Sequence, residues 1–293
     1  LSDKETAMDA YTTTKNQHAL VVEGGAMRGI FASGVLDRFI EQQYRPFDFC
    51  IGVSAGSTNL ASWLSHQKQR NYRIITHYSC LPEFIDFGRF IRGGHWLELD
   101  WLWDILAKEC YYDMAAFVQQ PIPLFVVTTN INTGEAVYIK STEDNLEQIL
   151  KASCSVPIAY RDFPTYQGAP MTDGGIADSI PVIKAYEMGA KEITVVLSRP
   201  LGYRKKAPKI PWLITKTLKR HPKLAEAMVN RATNYNQAID FIMQPPADCK
   251  IHIIAPPDDF NVGRLTTDKA VLEAGYQMGI TAADTLLAKP CFS

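Results

Sequence analysis

The sequence predicts an α/β fold with a largely parallel central sheet. Three observations carry that expectation. Short apolar runs of strand length alternate with longer segments whose apolar residues recur at helical spacing. The first two apolar runs each end in a glycine-rich turn that opens directly into such a segment. The resulting rhythm, strand–loop–helix–strand–turn–helix, is that of parallel strands joined by crossover helices.

Taken in order, residues 18–23 (HALVVE) form a short apolar run bounded by Gly24 and Gly25, which suits a buried strand. From Gly29, residues Ile30, Phe31, Val35, Leu36, Phe39 and Ile40 follow a helical period, and that helix must end before Pro46. Residues 47–53 predict a second strand and residues 55–66 a second helix, with Leu60, Trp63 and Leu64 on one face. Residues 123–130 and 135–140 predict strands that flank a turn at 131–134. Helices are expected from about 142–144 to 153, over 181–188, 222–243 and 268–288, and strands over 192–197 and 250–255. Residues 80–115 are aromatic and follow neither period.

The 293-residue chain is 46% apolar and 21% charged, which allows one large domain with a substantial core. Its net charge of −1 gives no overall attraction to nucleic acid. No apolar stretch reaches the length of a membrane span. Residues 1–17 read as a polar tail without the pattern of a signal peptide. Cys50, Cys80, Cys110, Cys154, Cys249 and Cys291 are dispersed with no C-x-x-C pair, so free thiols and a cytoplasmic location are expected. Cys154 is read as a buried, unreactive thiol.

Three motifs bear chemistry. Ser54 lies within G-x-S-x-G, between Gly52 and Gly56, at a strand-to-helix turn. Small neighbours there let a strained backbone present a hydroxyl for nucleophilic attack, although an N-cap serine in a tight turn would look the same. The segment EGGAMRG (23–29) sits at the preceding strand–helix junction, where free backbone N–H groups suit an oxyanion or phosphate and Arg28 adds a fixed charge. It lacks the G-K-[ST] of a P-loop. The third motif is TDGG (172–175). None of His18, His66, His77, His95, His221 or His252 lies at a glycine-rich junction, so Asp173 is the economical base for Ser54.

Gly-Gly-x-x-Arg-Gly after the first strand, G-x-S-x-G after the second and a later D-G-G resemble, in that order, the patatin-like phospholipase family. The segment ASCSVPI (152–158) is similar to the family's small-residue stretch before a proline. The resemblance covers residues 18–200, and the chain looks like bacterial members with an additional C-terminal region, here residues 201–293, expected to pack on the core. It implies a three-layer α/β/α core and hydrolysis of lipid acyl esters by a Ser–Asp dyad. Carried over by position, Ser54 is the nucleophile and Asp173 its partner. The N–H groups of Gly25 and Ala26 form the oxyanion hole, Gly24 shapes the loop, Arg28 steadies it, and Gly52 and Gly56 flank the elbow. Ala26 stands where the family often has glycine, and a positive φ there would cost about 1 kcal/mol or more. No metal or organic cofactor is implied, and no EF-hand-like loop is present.

Residues 199–223 are rich in lysine and arginine, contain no acid, and carry Tyr203, Ile210, Trp212, Leu213 and Ile214. That combination suits peripheral contact with an anionic membrane surface; the competing reading is a solvated loop leading into an amphipathic helix. In GHWLELDWLWDIL (94–106), Trp96, Leu99 and Trp103 are expected to share a helical face, as core or as a cap over an acyl groove. Three rival functions are compatible with the residues: an α/β-hydrolase using Ser54, Asp173 and His221 or His252; a lipid-binding protein without turnover; and acyl transfer to an acceptor other than water. The oligomeric state, head group and acyl length are left open.

Overall fold

A computed structural model describes residues 17–288. The polar tail, apart from Gln17, and Cys291 lie outside the described residues. The elements are, in chain order, β1 (Gln17–Val22), α1 (Gly29–Glu41), β2 (Phe49–Val53), α2 (Ala55–Leu64), α3 (Arg70–Thr76), α4 (Phe87–Ile91), α5 (Leu99–Glu109), α6 (Met114–Gln119), β3 (Leu124–Asn130) and β4 (Ala136–Lys140). They continue with α7 (Leu146–Cys154), β5 (Thr165–Tyr166), β6 (Ala169–Asp173), α8 (Val182–Glu187), β7 (Ala190–Val196), α9 (Pro211–Thr217), α10 (Pro222–Met243), β8 (Lys250–Ile254) and α11 (Lys269–Leu287).

The strands form one mixed sheet in the order β5-β6-β3-β2-β1-β7-β8, with β4 also paired to β3. Five neighbours, β3-β2-β1-β7-β8, run parallel, and the antiparallel pairings lie at the β3 end. Alternate side chains of the parallel strands enter opposite cores, as the two-residue period of a strand requires. Leu20, Val22, Cys50 and Val126 pack with α1, α2, α7 and α11. Val21, Ile51, Val53 and Val195 pack with α8 and α10 on the other face. The fold is therefore the three-layer α/β/α arrangement expected.

The C-terminal segment enters both layers. β8 extends the sheet beside β7, and α11 lies against α1. The two helices touch backbone to backbone: a Cβ on Gly34 would lie 2.1 Å from the Tyr276 carbonyl, and one on Gly279 the same distance from that of Phe31. Only glycine permits that approach.

One local reading needs correction. Trp96 does not share a helix with Leu99 and Trp103, because α5 begins only at Leu99. Trp96 is held in an irregular strap by its N–H to the Ala159 carbonyl and its carbonyl to the Asp86 N–H. Its ring packs on Phe87 and Phe90 instead.

Candidate active site

The register around β3 brings Ser54 and Asp173 together. On one edge of β3, β4 pairs with Phe125–Thr129. β2 takes the other edge as far as Val53 opposite Val127, where it ends. β6 runs the opposite way and takes up that same edge at Asp173 opposite Thr128. Two strands thus meet head to head on one edge, and the residue that follows Val53 faces the residue that ends β6.

Ser54 has φ 51° and ψ −125°, a conformation L-residues seldom adopt and one that costs on the order of 1–3 kcal/mol. Although it occupies the N-cap of α2, its side chain caps no backbone N–H. The hydroxyl stands near enough to the Asp173 carboxyl and the Cys154 thiol to lower the pKa of each. The side chain therefore does not make the N-cap bond that the competing reading of the motif assigned to it. The flanking glycines are required by contact: a Cβ on Gly52 would lie 2.5 Å from Ser57 Cα, and one on Gly56 would lie 2.4 Å from the Val22 carbonyl oxygen.

Asp173 is buried. Its Oδ1 accepts the Gly175 N–H at 2.7 Å, its N–H donates to the Ser155 carbonyl, and its carbonyl accepts the Thr129 hydroxyl at 2.8 Å. Burial raises the Asp173 pKa above its ordinary 3.8, while the Arg231 charge, the Gly175 N–H and the Ser54 hydroxyl act in the opposite sense. The small-residue stretch acts as a splint: Ser153 Oγ accepts the Ser54 N–H at 2.8 Å and donates to the Val127 carbonyl at 2.6 Å. Cys154 is half-buried rather than buried as the sequence suggested, and its pKa is pushed up to about 12, first by desolvation and then by Asp173. The five cysteines among the described residues are all free.

The glycine-rich loop lies against the elbow. A Cβ on Gly24 would stand 2.7 Å from the Val53 carbonyl oxygen. Ala26 has φ 50°, so the strain foreseen from the sequence is present. Among the described residues no acceptor engages the N–H groups of Gly25 and Ala26, and both residues border the cleft that holds Ser54 and Asp173. Arg28 is 3% exposed and directs Nε and Nη2 at the Ser198 hydroxyl, which donates to the Gly24 carbonyl. Burial lowers the Arg28 pKa to about 10, against the favourable charge of Glu23. Arg28 thus braces the loop through Ser198.

On one side, the cleft opens into an apolar cavity bordered by Ile74, Phe84, Leu99, Leu102, Trp103 and Leu106. Lys205, from the basic segment, also borders the cleft, together with Arg231 and Arg264, which no sequence motif singled out. Among the described residues no histidine borders either space. His252 is bound to Glu192 at 2.6 Å on β8, and His221 packs edge-on against Phe163. The triad reading therefore has no imidazole at the serine. His95, Asp100 and Asp162 cluster closely enough to hold a cation, but they stand apart from Ser54 and Asp173.

A strained serine elbow, a neighbouring aspartate and a glycine-rich loop thus border one cleft on a three-layer α/β/α sheet. The chain belongs to the patatin-like phospholipase family, whose sequence pattern it matches over residues 20–186. Residues 221–289 match a domain of unknown function, DUF6363. The chain is 32% identical over 270 residues to the uncharacterized protein YjjU of Escherichia coli strain K12, covering 89% of this chain and 74% of that protein. The crystal structure of VipD from Legionella pneumophila aligns with a TM-score of 0.42 and 14% identity, over 92% of this chain and 67% of that one.

Proposed function

We propose that the protein hydrolyses acyl esters of lipids through an acyl-enzyme on Ser54, with Asp173 as the only general base. The observation that carries this reading is the Ser54 hydroxyl, held at a strained elbow, uncommitted to helix capping and sharing a cleft with Asp173, whose pKa it lowers. Ser54 Oγ attacks the ester carbonyl carbon as its proton passes to Asp173. The N–H groups of Gly25 and Ala26 receive the oxyanion, and each such donor is worth about 2.7–4 kcal/mol. Collapse of the tetrahedral intermediate breaks the bond to the alcohol, which takes the proton from Asp173. Water then attacks the acyl-enzyme by the same route in reverse order. The raised pKa of Asp173 favours this role, since a stronger base accepts a serine proton more readily.

The apolar cavity beside Ser54 suits the acyl chain. A membrane surface is the natural source of the lipid. Ile210, Trp212 and Leu213 stand 48%, 64% and 48% exposed on and beside α9, within the basic segment. Apolar side chains among lysines favour peripheral contact with anionic lipid. Among the described residues no helix is long and apolar enough to cross a membrane.

The test is turnover of p-nitrophenyl butyrate and a fluorescent phospholipid by wild type, Ser54→Ala and Asp173→Asn. Both substitutions should abolish cleavage, and a serine-reactive fluorophosphonate should label wild type but not Ser54→Ala. Intact turnover in Asp173→Asn would remove the dyad. Vesicle binding with neither turnover nor labelling would leave a binding protein on this fold.

A further inference from the structure

Beyond the dyad lies a cavity of about 360 Å³ bordered by Arg28, Arg199, Lys205, Lys206, Arg231 and Arg264. Glu23 is its one acid, and that carboxylate already accepts the Ser198 N–H at 2.6 Å. The chain as a whole carries a net charge of −1, so six cations around one acid is a local concentration. Among the described residues none of these six forms an ion pair within 4.0 Å.

The hydrogen-bonding account is also incomplete. Arg28 Nη1, Arg199 Nε and Arg231 Nε are buried without an acceptor. Arg28 is 3% exposed, so its free nitrogen is withdrawn from bulk water. A buried guanidinium N–H left unpaired is costly, and the three arginines that carry these nitrogens all border this cavity. Lys205 is consistent with this: its pKa is lowered to about 7 by burial first, then by the charges of Arg231, Arg264 and Arg28, with Glu23 opposing. An anion would relieve that repulsion.

The cavity is continuous with the catalytic cleft, since Glu23, Arg28, Lys205, Arg231 and Arg264 border both. The apolar cavity meets the cleft at Ser54 and Ala26, and Arg264 borders all three spaces. A ligand that places its ester at Ser54 and its hydrocarbon in the apolar cavity therefore presents its polar end to the cations. We propose that this pocket seats an uncapped, doubly charged phosphate, in turnover the terminal phosphate of a phosphomonoester lipid. An uncapped phosphate offers three oxygens to separate guanidinium groups, which suits Arg better than a singly charged diester bearing a further substituent.

This inference rests on the lipid-hydrolase reading, and its test separates the two. Turnover of oleoyl lysophosphatidic acid and of mono-oleoylglycerol should be compared in wild type, Arg199→Gln and Lys206→Gln. Neither residue touches the dyad; Lys206 is exposed, so its variant remains informative if Arg199→Gln folds poorly. In parallel, inorganic phosphate is titrated against the melting temperature of these proteins and of Ser54→Ala.

The phosphomonoester should be preferred by at least about tenfold in kcat/KM, the worth of one charge-assisted hydrogen bond. Arg199→Gln or Lys206→Gln should erode that preference and leave neutral-ester turnover unchanged. Phosphate should stabilise wild type and Ser54→Ala more than either pocket variant. Stabilisation by phosphate with no ester cleaved would uphold the anion pocket and sink the hydrolase reading. Phosphate binding with both lipids cleaved equally would assign the pocket to free phosphate and overturn the head-group role. Equal turnover with no phosphate effect would overturn the pocket while leaving the hydrolase intact.

Discussion

Replacing Gly56 by alanine tests whether the elbow is built by close contact between α2 and β1. A Cβ there falls 2.4 Å from the Val22 carbonyl oxygen and 2.7 Å from that of Glu23, both backbone atoms. Real Cβ contacts essentially never fall under 3.0 Å, so the helix must lift from the strand by more than half an ångström. Val22 belongs to the buried β1, paired on both sides with β2 and β7, and has no freedom to retreat. Overpacking of this kind costs about 1–3 kcal/mol, which for a chain of this size lowers the melting temperature by about 2–10 °C. Ser54 precedes the first turn of α2, so the lift also moves the nucleophile, and a displacement approaching 1 Å can cost roughly a hundredfold in rate. Thermal denaturation and p-nitrophenyl butyrate turnover read the two effects separately. Gly202→Ala is the control, because a Cβ there meets nothing within 4 Å. If Gly56→Ala melts and turns over like that control, the contact argument is wrong.

Three further outcomes follow from the same coordinates. Burial raises the Asp173 pKa, and the base must be ionised to accept a proton, so kcat/KM should fall with decreasing pH through a midpoint above 3.8. Arg231→Gln, which removes an opposing charge, should move that limb higher still; a limb at or below 3.8 would sink the assignment. Asp37 is buried beneath the Tyr276 hydroxyl, and burial raises its pKa from 3.8 to about 6. The native state there holds a proton more tightly than the unfolded chain, so stability drains away as pH rises from 3.8 towards 6. Asp37→Asn should therefore gain more melting temperature over wild type at pH ~7.5 than at pH ~4, and a gain equal at both would contradict the sign. Finally, Trp212→Ala should weaken sedimentation with anionic vesicles while altering stability by no more than about 0.5 kcal/mol, as expected for an exposed side chain.

The sequence revealed the elements that punctuate themselves. β1, α1, β2 and α2 combine clear apolar periods with glycine or proline at their ends, and their predicted limits lie within a few residues of those observed. β6 escaped notice, although it carries Asp173. It reads Ala-Pro-Met-Thr-Asp, and an internal proline argues against a strand. Pro170 is tolerated because its carbonyl, rather than the N–H it lacks, serves a neighbour by accepting from Ile131. The aromatic segment 80–115 resisted assignment because α4 is short with no buried residue and α5 turns several apolar side chains to the cavity, so no single buried stripe marks them. The Ser54 elbow, Asp173 and the first glycine-rich loop were legible as local motifs. The basic pocket was not, since Arg28, Arg199, Lys205, Arg231 and Arg264 come from separate segments that only the fold assembles. Residues 199–223 read as one basic surface in the sequence. In the fold they divide: Arg199 stacks on Tyr203 and Lys205 on Tyr235 beside the pocket, whereas Trp212 and Leu213 face outward.

The absence of a histidine at Ser54 has a structural reason in the meeting of β2 and β6. A triad interposes an imidazole between serine and carboxylate, which requires the two to stand apart. Here Val53 and Asp173 oppose consecutive residues of β3, Val127 and Thr128, so Ser54 and Asp173 border one cleft that no histidine among the described residues lines. That closeness also buries the carboxylate, and the same neighbourhood limits the penalty: the Gly175 N–H binds it and Arg231 faces it. Arg231 also borders the phosphate pocket proposed above. Filling that pocket with a dianion would offset part of the Arg231 charge and make Asp173 more basic at the moment a substrate is seated. One arginine would thus join recognition of the head group to the strength of the base.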